Sequence, residues 1–423
     1  MKSAWRVAMG LALVICGPLH ALGAQDTPPG ATVQSLLEIA RQRNPDYAAM
    51  RFEARVADER ASTAGALMDP RFKIELQDIT RMGERSPTLL PSEGGATQYS
   101  ITQDLPWSGK RALKQEIAAL DATGAQGRAQ QTWSELVAKI KASFLQRYLV
   151  QQNQKLANET LALMLQQEKV MQERYAGGLV VQQDITRLHV EHTAMRAELV
   201  ALGSEWRQSQ TRLNTLLARP PQQPLAEPEQ LPALPEAAKL DAAILSERLR
   251  HSSPLLAAES ARVQSAEKSR SLAAKNRYPD FALGISAMQR QGDVKEWGVM
   301  LEFNLPVQSR VINAQEREAQ AMVDAATTRQ EAATNQALSD LSENLIALEG
   351  ARQTEQLMTY SLMPQADLTW RSALTAYENG KADFTTLLDA QRQIRQARQS
   401  QIKAQVEARM RLIEIERLLG EEI

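Results

Sequence analysis

The chain has 423 residues, with 49 Lys and Arg against 50 Asp and Glu; a formal net charge of -1 excludes an electrostatic case for nucleic acid. Aromatic residues make up only 4% of the chain while Ala and Gln abound, a composition poor for one large globular core and suited to long helices that approach through small side chains. A single cysteine excludes an intrachain disulfide.

Residues 1–24 read as a secretory signal. Lys2 and Arg6 precede an apolar run from Val7 to Ile15, and Leu22-Gly-Ala24 supplies small residues for cleavage before Gln25. The run is too short to span a bilayer, and no later stretch has the length of apolar sequence that a transmembrane helix needs. Cys16 follows Leu13-Val-Ile15, without the small residue a lipidation site wants just before it, so neither a lipid anchor nor a disulfide is expected in the mature chain.

Beyond Asn44-Pro45 and Asp69-Pro70, two segments alternate with period two. From Arg71 to Ile79, Phe72, Ile74 and Leu76 are apolar against Lys73, Glu75 and Gln77; from Tyr99 to Leu105, Tyr99, Ile101 and Leu105 oppose Ser100, Thr102 and Asp104. They predict a β-hairpin at about 71–105. A helical run follows from Ser108 to Gln172, weakly interrupted at Gly124 and Gly127, and long enough at 1.5 Å per residue to reach roughly 100 Å. After Tyr175-Ala-Gly-Gly178, Leu188, Met195, Leu199, Leu202, Trp206, Leu213 and Leu216 form a seam with three-four spacing, so the two runs pack as a helical hairpin over about 108–218. Six prolines between Arg219 and Pro235 forbid a continuous helix, and 219–238 is a linker.

The pattern then repeats. Ser253-Pro254, Tyr278-Pro279, Leu305-Pro306 and Tyr377-Glu-Asn-Gly380 match Asn44-Pro45, Asp69-Pro70, Leu105-Pro106 and the first Tyr-x-x-Gly in the same order. In the second hairpin, at about 281–305, Phe281, Leu283 and Ile285 face one way. After a Gly292-Asp293 turn, Trp297, Val299, Leu301 and Phe303 oppose Gly298, Glu302 and Asn304. A second helical hairpin is expected over about 308–420, with Pro364 kinking or splitting its first limb near Leu362. The repeats are therefore 25–218 and 239–423.

The strands have the length that a tilted outer-membrane strand needs. Four strands cannot close a barrel in lipid, where an open edge leaves backbone groups unpaired, so the subunit must oligomerise. Twelve strands from three copies would enclose a channel. The expected fold class is mainly α with a small β part.

The residues Tyr175-Ala-Gly-Gly-Leu-Val-Val-Gln-Gln-Asp184, Tyr377-Glu-Asn-Gly-Lys-Ala-Asp-Phe-Thr-Thr-Leu-Leu-Asp-Ala-Gln391 and Asp104-Leu-Pro-Trp-Ser-Gly-Lys-Arg111 resemble those of the TolC-type outer-membrane efflux channels. The last of these, with Leu362-Met-Pro-Gln365, is most similar to the branch serving heavy-metal pumps. The resemblance implies a homotrimer whose helical hairpins form a periplasmic α-barrel below a 12-stranded transmembrane β-barrel in outer-membrane lipid. Its partners would be a periplasmic adaptor protein and an inner-membrane pump of the resistance-nodulation-division class. The implied function is a passive exit duct for heavy-metal cations, with a multidrug or type I secretion channel as the alternative.

The resemblance also implies site residues. Tyr175, Gly178, Leu179 and Val180 match one adaptor-docking tip, and Tyr377, Gly380, Lys381 and Ala382 the other. Asp389 matches a carboxylate that narrows the tunnel mouth, whereas Thr386 stands where the family has a second one. Asp389 reads equally as a helix-face partner of Arg392. The apolar strand residues would face lipid: Phe72, Ile74, Leu76, Tyr99, Ile101, Phe281, Leu283, Ile285, Trp297, Val299, Leu301 and Phe303.

No motif for catalysis, no metal site and no cofactor site is expected. His189-Val-Glu-His192 lacks the spacing of known zinc motifs and reads as the polar edge of a coiled coil. A periplasmic adaptor would carry one helical hairpin between β-rich halves, not two in a duplicated frame. A purely structural coiled coil would lack the alternating strands.

Overall fold

The computed structural model describes residues 28–80, 82–83, 86–91, 95–178, 180–290 and 292–423. The secretory signal, Cys16 and Leu179 lie outside them.

Each repeat begins with a short helix and a longer one, separated at Pro45 in the first and at Pro254 in the second. Helix α1 is Val33–Arg43 and α2 is Pro45–Thr63; α5 is Ala242–Ser252 and α6 is Pro254–Ala274. The prolines sit at the first helical position, where a missing N–H costs nothing. Asn44 caps α2 by accepting the Tyr47 N–H at 3.0 Å, and its own amide reaches the Leu216 carbonyl at 2.9 Å. Asp241 caps α5 through the N–H groups of Ala243 and Ile244.

The strands are β1 Arg71–Gln77, β2 Ala96–Leu105, β3 Phe281–Arg290 and β4 Asp293–Phe303. They form one antiparallel sheet in the order β1-β2-β3-β4, so the two hairpins, far apart in sequence, are joined through β2 and β3. β1 stops short of Ile79 because Asp78 turns to a positive φ of 54°. A bulge at Met288/Gln289 shifts the register near the β3–β4 turn.

Helix α3, Lys110–Ala176, runs for 67 residues and is continuous through Gly124 and Gly127. The expected weakening there is corrected by packing. A Cβ on Gly127 would lie 3.0 Å from the Ala258 Cβ and 3.1 Å from the Pro254 carbonyl, so glycine is there to let α6 touch the α3 backbone. Helix α4, Gln182–Leu216, returns along α3. The second repeat leaves the sheet as α7, Ser309–Leu357, and α8, Met363–Glu378, joined by one π-helical turn at Met358–Leu362, and returns as α9, Phe384–Leu419. Pro364 supplies the cause: without an N–H it cannot bond the carbonyl four residues back, and the backbone widens just before it.

Near the sheet α3 packs on α2 and α6, with α7 beyond α6; toward the tips it packs on α4 and α9, with α8 beyond α9. Leu36, Leu37, Ile140, Phe144, Leu145 and Leu213 make a core midway along the chain's length, and Leu245, Leu249, Leu341, Leu348, Ile415 and Leu419 repeat it in the second half. A third cluster of Leu188, Met195, Phe384, Leu387 and Leu388 joins the two helical hairpins.

Candidate functional site

The strand register sorts the side chains into two faces. Phe72 opposes Ile101, which opposes Ile285, which opposes Val299; one row over, Ile74, Tyr99, Ala287 and Trp297 align. Leu283 with Leu301 and Phe281 with Phe303 complete the same apolar face. Phe72, Ile74, Ile101, Leu283, Ile285, Trp297, Val299, Leu301 and Phe303 are exposed, Trp297 at 77% and Val299 at 85%, far too much for a sheet meant to sit in water. Leu76, Tyr99 and Phe281 are half-buried on that face. Thr97, Gln103 and Gln289 interrupt it, and Gln289 accepts from the Tyr99 hydroxyl at 3.2 Å. Thr97 donates to the Pro91 carbonyl at 3.2 Å and Gln103 to the Met68 carbonyl at 2.8 Å, so neither presents an unsatisfied donor.

The opposite face carries Arg71, Lys73, Glu75, Ser100, Thr102, Asp104, Glu296 and Glu302, with Gly284 and Gly298 keeping it open. Arg71 and Asp104 pair at 2.7 Å, and Lys73 and Glu75 at 2.6 Å. Among the described residues β1 and β4 have no outer partner, which leaves a row of backbone donors and acceptors at each edge of the sheet.

At the far end of the helices, the two Tyr-x-x-Gly segments make matching reversals. Gly178 and Gly380 adopt φ of 73° and 69°, and their N–H groups bond the carbonyls of Tyr175 at 2.9 Å and Tyr377 at 3.1 Å. This left-handed conformation is what the sequence needs glycine for. The tyrosines differ. Tyr175 is 46% exposed, whereas Tyr377 lies edge-on against Phe384 with Arg174 over its ring. Val180 packs into the cluster that joins the hairpins, while Lys381 is exposed and Ala382 half-buried.

Just beyond the second reversal, Asp383 caps α9 by accepting the Thr386 N–H at 2.8 Å and its hydroxyl at 2.7 Å. Those two bonds hold the Asp383 carboxyl below its usual range. Thr386 is therefore occupied in the cap. Asp389 is paired with Arg392 at 3.2 Å, and Arg392 also binds Glu191 on α4. The hydrogen bond to Glu191, opposed by partial burial, raises the Arg392 pKa. Arg187 to Thr385 at 2.5 Å and Arg395 to Glu198 at 2.8 Å add rungs of the same kind between α4 and α9. Sequence reading found Asp389 but not its cross-hairpin context, because Glu191 stands about 200 residues away.

Among the described residues no three His, Cys, Asp or Glu side chains gather as a metal site. His189 faces Glu168 across the hairpin at 3.4 Å. No described helix is long and apolar enough to cross a membrane.

A sheet apolar on one exposed face and charged on the other, open at both edges and continued by helices about 100 Å long, defines a subunit of an outer-membrane channel. The chain belongs to the outer membrane efflux protein family, whose pattern matches residues 36–219 and again 245–421. It is 24% identical to the cobalt-zinc-cadmium resistance protein CzcC of Cupriavidus metallidurans, over 97% of this chain and 98% of that one. It is 24% identical to the pyoverdine export outer membrane protein OpmQ of Pseudomonas putida, over 92% of this chain and 85% of that one. Its fold superposes on the outer membrane protein VceC of Vibrio cholerae with a TM-score of 0.78 at 16% identity, covering 94% of this chain and all of that one. The protein is thus an outer-membrane efflux channel with a long periplasmic helical extension, and its family consists of passive channels, not enzymes.

Proposed function

We propose that three copies of this chain form the exit duct of a tripartite pump for divalent transition-metal cations. The observation that carries the metal assignment is the end-to-end similarity to the cobalt-zinc-cadmium resistance protein, 97% of one chain against 98% of the other. An inner-membrane pump of the resistance-nodulation-division class supplies the energy, and a periplasmic adaptor grips the tips at Tyr175, Gly178, Leu179 and Val180 and at Tyr377, Gly380, Lys381 and Ala382. The unpaired edges of β1 and β4 support the trimer, since β4 of one copy can pair with β1 of the next and leave no strand open to lipid. The apolar strand face, from Phe72 to Phe303, then meets lipid and the charged face lines the lumen.

Asp389 narrows the resting mouth in this reading, acting with Arg392 and Glu191 as a rung that holds α9 against α4. A second reading, export of drugs or other organic solutes, is favoured by the equal identity to the pyoverdine export protein. Susceptibility of a deletion strain to zinc, cobalt, cadmium, copper, silver and a panel of antibiotics separates the two. Sensitivity to zinc, cobalt or cadmium alone supports the metal duct. Sensitivity confined to antibiotics would retain the channel and overturn its cargo.

A further inference from the structure

The Trp-Ser-Gly-Lys segment that follows β2 has a place in the fold that conduction does not use. Trp107 stacks on Tyr278 with ring centres 5.1 Å apart and planes 9° from parallel, and it leans on Phe281 of the apolar sheet face at 5.5 Å. The Trp107 N–H is bound by Asp280 at 2.7 Å, which also takes the Lys110 ammonium at 2.9 Å. This aromatic pair sits where the apolar face ends and the helices begin, and Leu305 and Val307, 70% and 80% exposed, continue the apolar surface at the same level.

Among the described residues, two cations flank the Trp107–Gly109 turn without a carboxylate partner. Lys275 donates to the Ser108 carbonyl at 3.2 Å; Gly109, at φ 85°, leaves the room, since a Cβ there would stand 3.0 Å from the Lys275 Nζ. Arg111 donates through Nε to the Gly65 carbonyl at 2.8 Å and keeps the rest of its guanidinium free. Of the carboxylates nearby, Asp280 is engaged by Lys110 and Glu316 by Arg277. A stacked aromatic pair at the end of an apolar face, bordered by uncompensated cations, matches the headgroup level of a membrane.

We propose that Lys275 and Arg111, on either side of Trp107, each bind the headgroup phosphate of an anionic phospholipid in the periplasmic leaflet of the outer membrane. The apolar strand face takes the acyl chains, the Trp107 and Tyr278 rings lie at the glycerol level, and the two cations discriminate anionic from zwitterionic headgroups. The site depends on residence in the outer membrane and is independent of what passes through the lumen.

The test uses full-length protein in nanodiscs of mixed phosphatidylethanolamine and phosphatidylglycerol, with bound lipids counted by native mass spectrometry. The wild type is expected to retain phosphatidylglycerol roughly tenfold above its share of the bilayer. Lys275→Gln with Arg111→Gln abolishes that enrichment, while Lys275→Arg with Arg111→Lys keeps it. Absence of enrichment in the wild type overturns the proposal by itself. So does enrichment that survives the neutral pair, or that is lost equally in the charge-retaining pair, where only packing has changed.

Discussion

Arg147 of α3 stands with its guanidinium 3.5 Å from the ring centre of Trp206 on α4. Only 2% of Arg147 is exposed, Nη2 reaches the Leu225 carbonyl at 3.3 Å, and Nε and Nη1 have no hydrogen-bond partner, so the indole face carries much of the compensation for a buried charge. Gln151 meets Glu227 at 2.6 Å beside it. The Pro-rich linker is thereby stitched to the first helical hairpin.

Removing the ring should be costly. Trp206→Leu is expected to lower stability by about 2 kcal/mol, read as a fall in the thermal unfolding midpoint. Burial, partly offset by Glu227, pulls the Arg147 pKa down to about 10. Below pH 10 both folded and unfolded chains carry the charge and the burial cost is complete. As pH rises past 10 the folded chain releases its proton before the unfolded one, and this contribution to stability rises. The stability of the wild type relative to Arg147→Met should therefore improve as pH passes 10; a flat difference would contradict this.

Asp280 holds both the Trp107 N–H and the buried Lys110 ammonium. Asp280→Ala leaves that ammonium unpaired and should cost about 2–3 kcal/mol, less than for a fully buried pair because Asp280 itself is partly exposed. Asp280→Asn keeps an acceptor for the Trp107 N–H and should cost less. Denaturant midpoints of the two variants give the comparison.

The glycines inside helices are not equivalent. Gly127→Val forces a side chain against Ala258 and should destabilise by about 1–3 kcal/mol. Gly203 in α4 has nothing within 4 Å of a would-be Cβ, so Gly203→Ala should stabilise by up to about 1 kcal/mol. Calorimetry on the two purified variants should give shifts of opposite sign.

Asp383→Ala removes the cap of α9, and the Thr386 amide should exchange its hydrogen several-fold faster. Since the Asp383 carboxyl sits below its ordinary 3.8, the protection it gives is present above that pH and is lost as pH falls through the lowered value. The protection factor of the Thr386 amide should fall on acidification through the lowered value in the wild type and stay flat in the variant.

In the rung proposed to hold the mouth closed, Arg392→Ala removes bonds to both Glu191 and Asp389, whereas Asp389→Ala removes one. Single-channel conductance and antibiotic leakage should rise in both, and more in Arg392→Ala. Unchanged values in Asp389→Ala would count against its role in closure.

Much of this was legible because period two and three-four spacing survive in each repeat. Phe72, Ile101, Ile285 and Val299 could each be assigned to the apolar face of its strand from alternation alone, and Pro364 marked where the second descending limb would break. The lateral order of the elements was not legible. Which strand lies beside which depends on β2 meeting β3, a contact between segments about 190 residues apart that no local pattern encodes. The same holds for the rung from Arg392 to Glu191. Why α3 runs unbroken through Gly124 and Gly127 was not legible either, because a glycine's effect on a helix depends on what packs over it, and α6 lies more than 100 residues downstream.

The two limbs that leave the sheet differ in compliance. α3 is an uninterrupted ladder of 67 residues, while its counterpart is jointed at Met358–Leu362, where the π turn already departs from the helical repeat. A sideways force at the tips is spread along the first limb and gathers at the joint of the second. Duplication has therefore set a stiff strut beside a flexible one in every subunit, and the tip bearing Tyr377, Gly380 and Asp389 is the one that swings with less work.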